Sequence, residues 1–291
     1  MSMPLPPSLS TRLSSMARRL GLAPRGHDWL TEQAARLQLP FAPLPAMPDS
    51  VWWPDGAPLQ RLADLPRGAL SGPVQEDKAC AHAALCALVR LEERELSEFD
   101  LRWIDGLGTR PPLDAQTCRR LEDYAATPVC RGIRLISYKD FTRALQQALP
   151  PQPTDALHLR QASWRGERYF HDGERDPAAL ACAVAYARRR GLTMHFRARL
   201  SEYRLSRCGL DKLDRSHHVL AMPVETWSDA RFMRLLLAGM PYARLSLLRE
   251  PGAAEFLLLP RQHEASDALG AGLRQAGAAD VIGWLRRLLP A

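Results

Sequence analysis

Residues 176–200 constrain this chain more than any other stretch. Asp176-Pro177 marks a helix start, because an N-cap Asp accepts from free amides and a Pro at the first helical position loses no hydrogen bond. Arg188, Arg189 and Arg190 put three cations at the negative end of the helix dipole, and Gly191 can take the left-handed cap. Immediately afterwards Met194, Phe196, Ala198 and Leu200 alternate with His195, Arg197, Arg199 and Ser201, the period of a half-buried strand with a basic outer face. Upstream, residues 157–164 and 168–171 read as strands joined by a turn at Arg165-Gly166-Glu167. Strand, hairpin, helix and strand in that order require a mixed α/β fold.

The remainder divides around this unit. Residues 1–55 read as a proline-rich helical arm, with amphipathic helices at 8–20 and 28–39 and with Pro40, Pro43, Pro45, Pro48 and Pro54 keeping the intervening chain extended. Residues 56–149 read as a mainly helical region with one strand. Its helices are expected at 74–99, 114–125 and 138–149, and its strand at 131–137. Pro150, Pro151 and Pro153 suggest a linker, after which residues 150–291 form an α/β domain that contains the unit at 156–225. Beyond that unit come a strand at 218–224, a capped helix at 228–238, a hairpin at 243–259 and two closing helices.

With 291 residues, 46% of them hydrophobic, the chain can bury a self-sufficient core. No apolar run approaches a membrane span and no signal-peptide core is visible, so no membrane and a cytoplasmic location are expected. Six cysteines without a C-x-x-C pair read as reduced, mostly buried thiols, and no metal site is expected. Only three of the 39 basic residues are lysines, which reflects a GC-rich genome as much as any ligand. The distribution of charge is more informative: residues 158–215 hold thirteen Arg or Lys against seven Asp or Glu, and so carry +6 of the chain's net +7. Such an excess steers anionic partners.

A candidate anion site falls within this basic segment. Residues 168–180 feed a strand through Gly173 into a helix amino terminus, where unpaired amides favour an anion. Gly173 would allow close backbone approach and Arg175 a two-pronged contact, although an N-cap Asp176 competes for the same amides. Gly173-Glu174-Arg175, the small residues Ala178 and Ala179, and Gly191 before the next strand resemble the ParB and sulfiredoxin-like superfamily, over some fifty to sixty residues. Asp176 stands where that family's box has a second arginine. The resemblance implies a nucleotide-phosphate or nucleic-acid role for Gly173, Glu174 and Arg175, with Arg197 and Arg199 on the following strand adding cations. The whole chain also looks like uncharacterised proteins of proteobacteria and their phages.

The preferred expectation is therefore non-enzymatic binding of nucleic acid or a nucleotide, in a phage or mobile-element setting, with no other cofactor. Two alternatives stand beside it. Gln75, Cys80, His218 and Asp229 follow the chain order of a papain-like thiol hydrolase, but Glu76 and Asp77 would disfavour a thiolate. An adaptor would recruit a protein partner through the arm. His217 and His218 point to opposite faces of a strand and so make a poor metal pair, and His82 with Cys86 lacks a third ligand, so core packing is expected for that pair. Trp52 and Trp53 are expected to dock on the body.

Overall fold

The computed structural model describes residues 27–149, 156–173, 175–247 and 254–289. The helix expected at 8–20 and the linker prolines 150, 151 and 153 lie outside the described residues. Nine α-helices are described: α1 His27–Ala35, α2 Gln75–Cys86, α3 Leu121–Ala125, α4 Tyr138–Ala148, α5 Pro177–Arg190, α6 Arg207–Ser216, α7 Ala230–Leu236, α8 Glu264–Gln275 and α9 Val281–Arg287. The strands are β1 Leu70–Ser71, β2 Val89–Asp100, β3 Ile104–Leu107, β4 Leu157–Ala162, β5 Tyr169–His171, β6 His195–Leu205, β7 His217–Met222, β8 Ala243–Leu245, β9 Glu255–Pro260 and β10 Ala279–Asp280. The class is mixed α/β.

The strands form two five-stranded sheets. The first, ordered β2-β6-β4-β5-β3, is mixed: β6 pairs antiparallel with β2 and parallel with β4, and β5 pairs parallel with β3. The second, ordered β1-β8-β9-β7-β10, is antiparallel throughout. Both sheets recruit strands from either side of residue 150, so the expected boundary there runs through two shared hydrogen-bonded layers.

The punctuation around α5 works as its residues dictate. Asp176 Oδ1 accepts the Ala179 amide at 2.9 Å, Pro177 opens the helix, and Gly191 caps it at φ 65°, ψ 27°. The Ala-rich face of α5 packs with α3 and α4 on one face of the first sheet, meeting Leu157, Leu159, Ala198 and Leu200. The α4 helix starts in a capping box: Ser137 Oγ accepts the Asp140 amide while Asp140 accepts that of Ser137.

Three sequence expectations are corrected. Residues 74–99 are not one helix: α2 stops at Cys86 and Val89–Asp100 is a long edge strand. Gly209 of α6 approaches so closely that a Cβ there would lie 2.2 Å from the Ala87 carbonyl oxygen, and the Ser206 amide takes the Leu88 carbonyl at 2.8 Å. The chain is thus turned into the ladder with β6, where Glu95 stands opposite Arg199, and tertiary pairing overrides the helical preference of Glu, Arg and Leu. Residues 131–137 are irregular rather than a strand, because Ile133 and Leu135 alternate inward onto the first core with no strand beside them. The helix expected at 114–125 is broken between a 3₁₀ turn, Leu113–Ala115, and α3, since the Cys118 carbonyl leaves the helical path to accept the Val51 amide. Residues 56–149 therefore hold three strands, not one.

The described part of the arm is built into the body. Leu30 and Ala34 of α1 pack on α8 and its surroundings, where Gly272 leaves room for the Thr31 carbonyl. The extended stretch that follows points Trp52 into the first core, edge-on to Tyr124, and Trp53 into the second core against Phe170, as adjacent residues of an extended chain must diverge. Trp52 Nε1 donates to the Ala115 carbonyl, and Trp284 Nε1 to that of Pro45. The Arg165 guanidinium, buried and lying over the Phe170 ring, donates to the carbonyls of Ser50, Trp52 and Asp55 at 3.1, 2.9 and 2.8 Å. Burial, with Arg168 adding repulsion, pushes its pKa down to about 10, so it stays charged at neutral pH. Replacing it removes a donor from all three carbonyls, of which that of Trp52 keeps the Asp55 amide. Arg165→Leu should lower the unfolding free energy by about 3 kcal/mol in urea denaturation, and a loss below about 0.5 kcal/mol would show the grip to be dispensable.

Candidate functional site

The corner between β5 and α5 is occupied by its own side chains. A Cβ on Gly173 would lie 2.1 Å from His171 Cε1, so this glycine makes room for an imidazole rather than for a ligand. Arg175 Nη1 donates to the Leu149 carbonyl at the end of α4, at 3.2 Å, a cation in the favourable position for that helix's dipole. Asp176 holds the Ala179 amide and Arg160 pairs with Asp172 at 2.5 Å. Glu174 lies outside the described residues. Arg197 and Arg199 do not converge on this corner. Ala198 and Leu200 face α5, so the arginines between and beside them stand on the opposite face of the sheet. There Arg199 reaches Glu95 at 3.8 Å, while Arg197 has no acid partner among the described residues.

The residues of the thiol-hydrolase alternative are also kept apart. Gln75 opens α2, and Cys80 is exposed on that helix beside the buried Ala81 and Leu85, which enter the second core. His218 is buried on the other face of β7, the face of Leu220 and Met222, with its ring against Gly270 of α8. Its Nε2 meets Asp267 Oδ1 at 2.7 Å and Arg261 at 3.2 Å. Burial pushes its pKa down against the pull of Asp267. Asp229 caps α7, accepting the Phe232 amide at 2.7 Å. Sheet two thus lies between the proposed nucleophile and the proposed base. His82 Nε2 donates to the Leu65 carbonyl at 2.7 Å with Cys86 Sγ 3.7 Å from the ring, a packed pair. Among the described residues no three His, Cys, Asp or Glu side chains cluster as metal ligands.

What the structure does assemble is a basic, aromatic surface at the carboxyl end of α5. Arg188 anchors it on one side, donating from Nε to the Arg102 carbonyl at 2.8 Å and from Nη2 to that of Ile104 at 2.9 Å, with Glu122 and Asp105 balancing its charge. This fixes the turn that carries Trp103, which is 52% exposed and sits edge-on to Phe99. On the other side, Tyr186 stacks on Phe141 at 5.6 Å, and Phe141 touches Tyr138 at 5.8 Å. Tyr138 is 62% exposed, beside an exposed Ile136. The Arg190 guanidinium lies 5.8 Å from the Tyr186 ring centre. Arg189, Arg190 and Lys139 have no acid partner among the described residues, and the chain runs on from α5 to the exposed His195 and Arg197. Sequence reasoning took the three arginines for dipole complements and passed over Trp103 and Tyr138. Tyr138 lies three residues before Phe141, on the apolar stripe itself, so spacing alone reads it as core.

A family model, that of DUF6685, a family of unknown function, matches residues 94–291. The chain belongs to the DUF6685 family. No match was found among curated proteins or among solved structures. The DUF6685 segment contains Trp103, Tyr138, Lys139, Tyr186 and Arg188–Arg190, and it begins after Gln75 and Cys80. Among the described residues no helix is long and apolar enough to cross a membrane.

His171 gives this region a measurable signature. Burial pushes its pKa down to about 4, with Asp172 only partly opposing. The unfolded chain binds that proton near pH 6.5 and the folded chain only near pH 4. Stability from this group is complete above about pH 6.5 and falls as pH drops through that window, by on the order of 3 kcal/mol. Urea midpoints taken from pH 8 to pH 4 should show the fall in the wild type and a flatter profile in His171→Leu. Equal slopes would remove His171 as the source.

Proposed function

We propose that this protein binds single-stranded nucleic acid, without catalysing a reaction on it, across the surface at the carboxyl end of α5. The observation that carries this reading is the cluster at the end of α5: Arg189 and Arg190 are exposed with no acid partner among the described residues, Arg190 lies against the half-buried Tyr186 ring, and the exposed Trp103 and Tyr138 are tied to the same helix through Arg188 and through the buried Phe141. Bases splayed from a single strand stack on such rings, and guanidinium groups beside them take the phosphates. The charge excess of residues 158–215 supports the same direction, and it is thinned by use inside the fold. Arg160, Arg165, Arg168, Arg175, Arg188, Arg199, Arg204 and Arg215 are held by carboxylates or carbonyls, while Arg189, Arg190, Arg197 and Lys212 have no acid partner among the described residues.

A nucleotide held at residues 173–176 is less well supported, because Asp176 and Arg175 already have partners there. The order of strand, turn, helix and strand agrees with the ParB-like resemblance, but a site on α5 would sit at the opposite end of the helix from the box that carries it. The adaptor reading is less well supported, because the described part of the arm packs into the body, with the rings of Trp52 and Trp53 buried there.

Fluorescence anisotropy with labelled single-stranded DNA and RNA tests the proposal. Affinity should fall as salt rises from about 50 to about 200 mM, through counterion release. Arg189→Ala with Arg190→Ala should weaken binding about tenfold or more and lower the salt slope by about two. Tyr138→Ala should weaken it by roughly tenfold with the slope unchanged. A wild-type protein that fails to bind either strand at low salt, or variants that bind as well as it does, would refute the assignment.

A further inference from the structure

A separate cleft lies at the β1 edge of the second sheet. It is an open cavity of about 410 Å³ between the 3₁₀ turn Arg67–Ala69 with β1 on one wall and α2 on the other. Gln75, Lys78, Ala79 and His82 line it from α2, and their spacing places them on one face of that helix. Arg67, Gly68 and Leu70 form the facing wall. Neither the Arg67 nor the Lys78 side chain has a hydrogen-bond or ion-pair partner among the described residues, and no carboxylate lines the cavity. The neighbouring acid Asp77 acts instead on His217, in the strand beneath. His82 is fixed by the Leu65 carbonyl, and the Lys78 stem runs past Gly72, so both walls are held in place.

We propose that this cleft binds a small organic phosphate, a phosphomonoester dianion. Two partnerless cations match its charge. Arg67 supplies the planar fork that suits a tetrahedral oxyanion, Lys78 a point charge opposite it, and Gln75 an amide donor. An inorganic ion is far smaller than about 410 Å³, and the rest of the space is bounded by the apolar Leu70 and Ala79, which suits an organic substituent. Donors and apolar wall together select a monoester over a bare anion. The cleft shares no residue with the nucleic-acid surface, so either assignment stands or falls without the other.

Gly68 provides a clean test. Gly68 lines the cavity, a Cβ built there meets nothing within 4 Å, and its backbone is not in the left-handed region, so a side chain can be added at the cleft wall without displacing the fold. Calorimetric titration with phenyl phosphate, inorganic phosphate and phenol reads the site directly. Phenyl phosphate should bind more tightly than inorganic phosphate, and phenol should not bind. Arg67→Met with Lys78→Met should weaken phenyl phosphate by about tenfold or more. Gly68→Leu should abolish its binding while the thermal unfolding midpoint stays that of the wild type. Absence of binding by the wild type at roughly 10 mM phenyl phosphate, or undiminished binding by the charge variant, overturns the proposal. Equal affinities for phenyl phosphate and inorganic phosphate overturn the monoester assignment.

Discussion

The join between the extended arm and the body depends on one buried cation, Arg165. An extended, proline-rich chain has carbonyls with no ladder to join, and its prolines offer no N–H in return. Arg165 resolves that problem by reaching from the first sheet to three carbonyls of residues 50–55, over the face of Phe170. Arg168 and Arg188 act in the same way on the carbonyls of residues 102, 104, 105 and 119. Irregular segments are thereby fastened to regular ones by guanidinium groups, whose five donors in a rigid plane suit scattered acceptors better than an ammonium does. A chain with so few lysines is well supplied for this role.

That internal use explains why the basic segment was only partly legible. Thirteen cations between 158 and 215 are visible in the sequence, but which of them meet water depends on the layers above and below. Period-two alternation correctly set Arg197 and Arg199 on the outer face of β6, and the same alternation places them away from Arg175. The ends of α5 were readable because Asp, Pro and Gly act within one turn of the backbone, and the start of α4 because its capping box is equally local.

Where the reading failed, distant partners decide. Residues 89–100 carry a helical composition and become a strand because β6 offers a ladder, while residues 131–137 carry a strand-like alternation and find no strand beside them. The same holds at the sites. Gly173 looked like a ligand-facing glycine, but its neighbour is an imidazole two residues back. Cys80 and His218 looked like partners in chain order, but they are separated by a sheet. Trp103 and Tyr138 are tied to α5, which carries Arg189 and Arg190, through the Arg188–Arg102 and Phe141–Tyr186 contacts, both of which span tens of residues.

The two adjacent tryptophans have a mechanical consequence. Trp52 is rooted among the residues packed on one side of the first sheet and Trp53 among those between the sheets, and a single peptide bond joins them. Neither hydrophobic cluster can come apart while the other persists without pulling an indole out of its socket. The two layers should therefore melt together, as one cooperative transition rather than a sequence of separable steps.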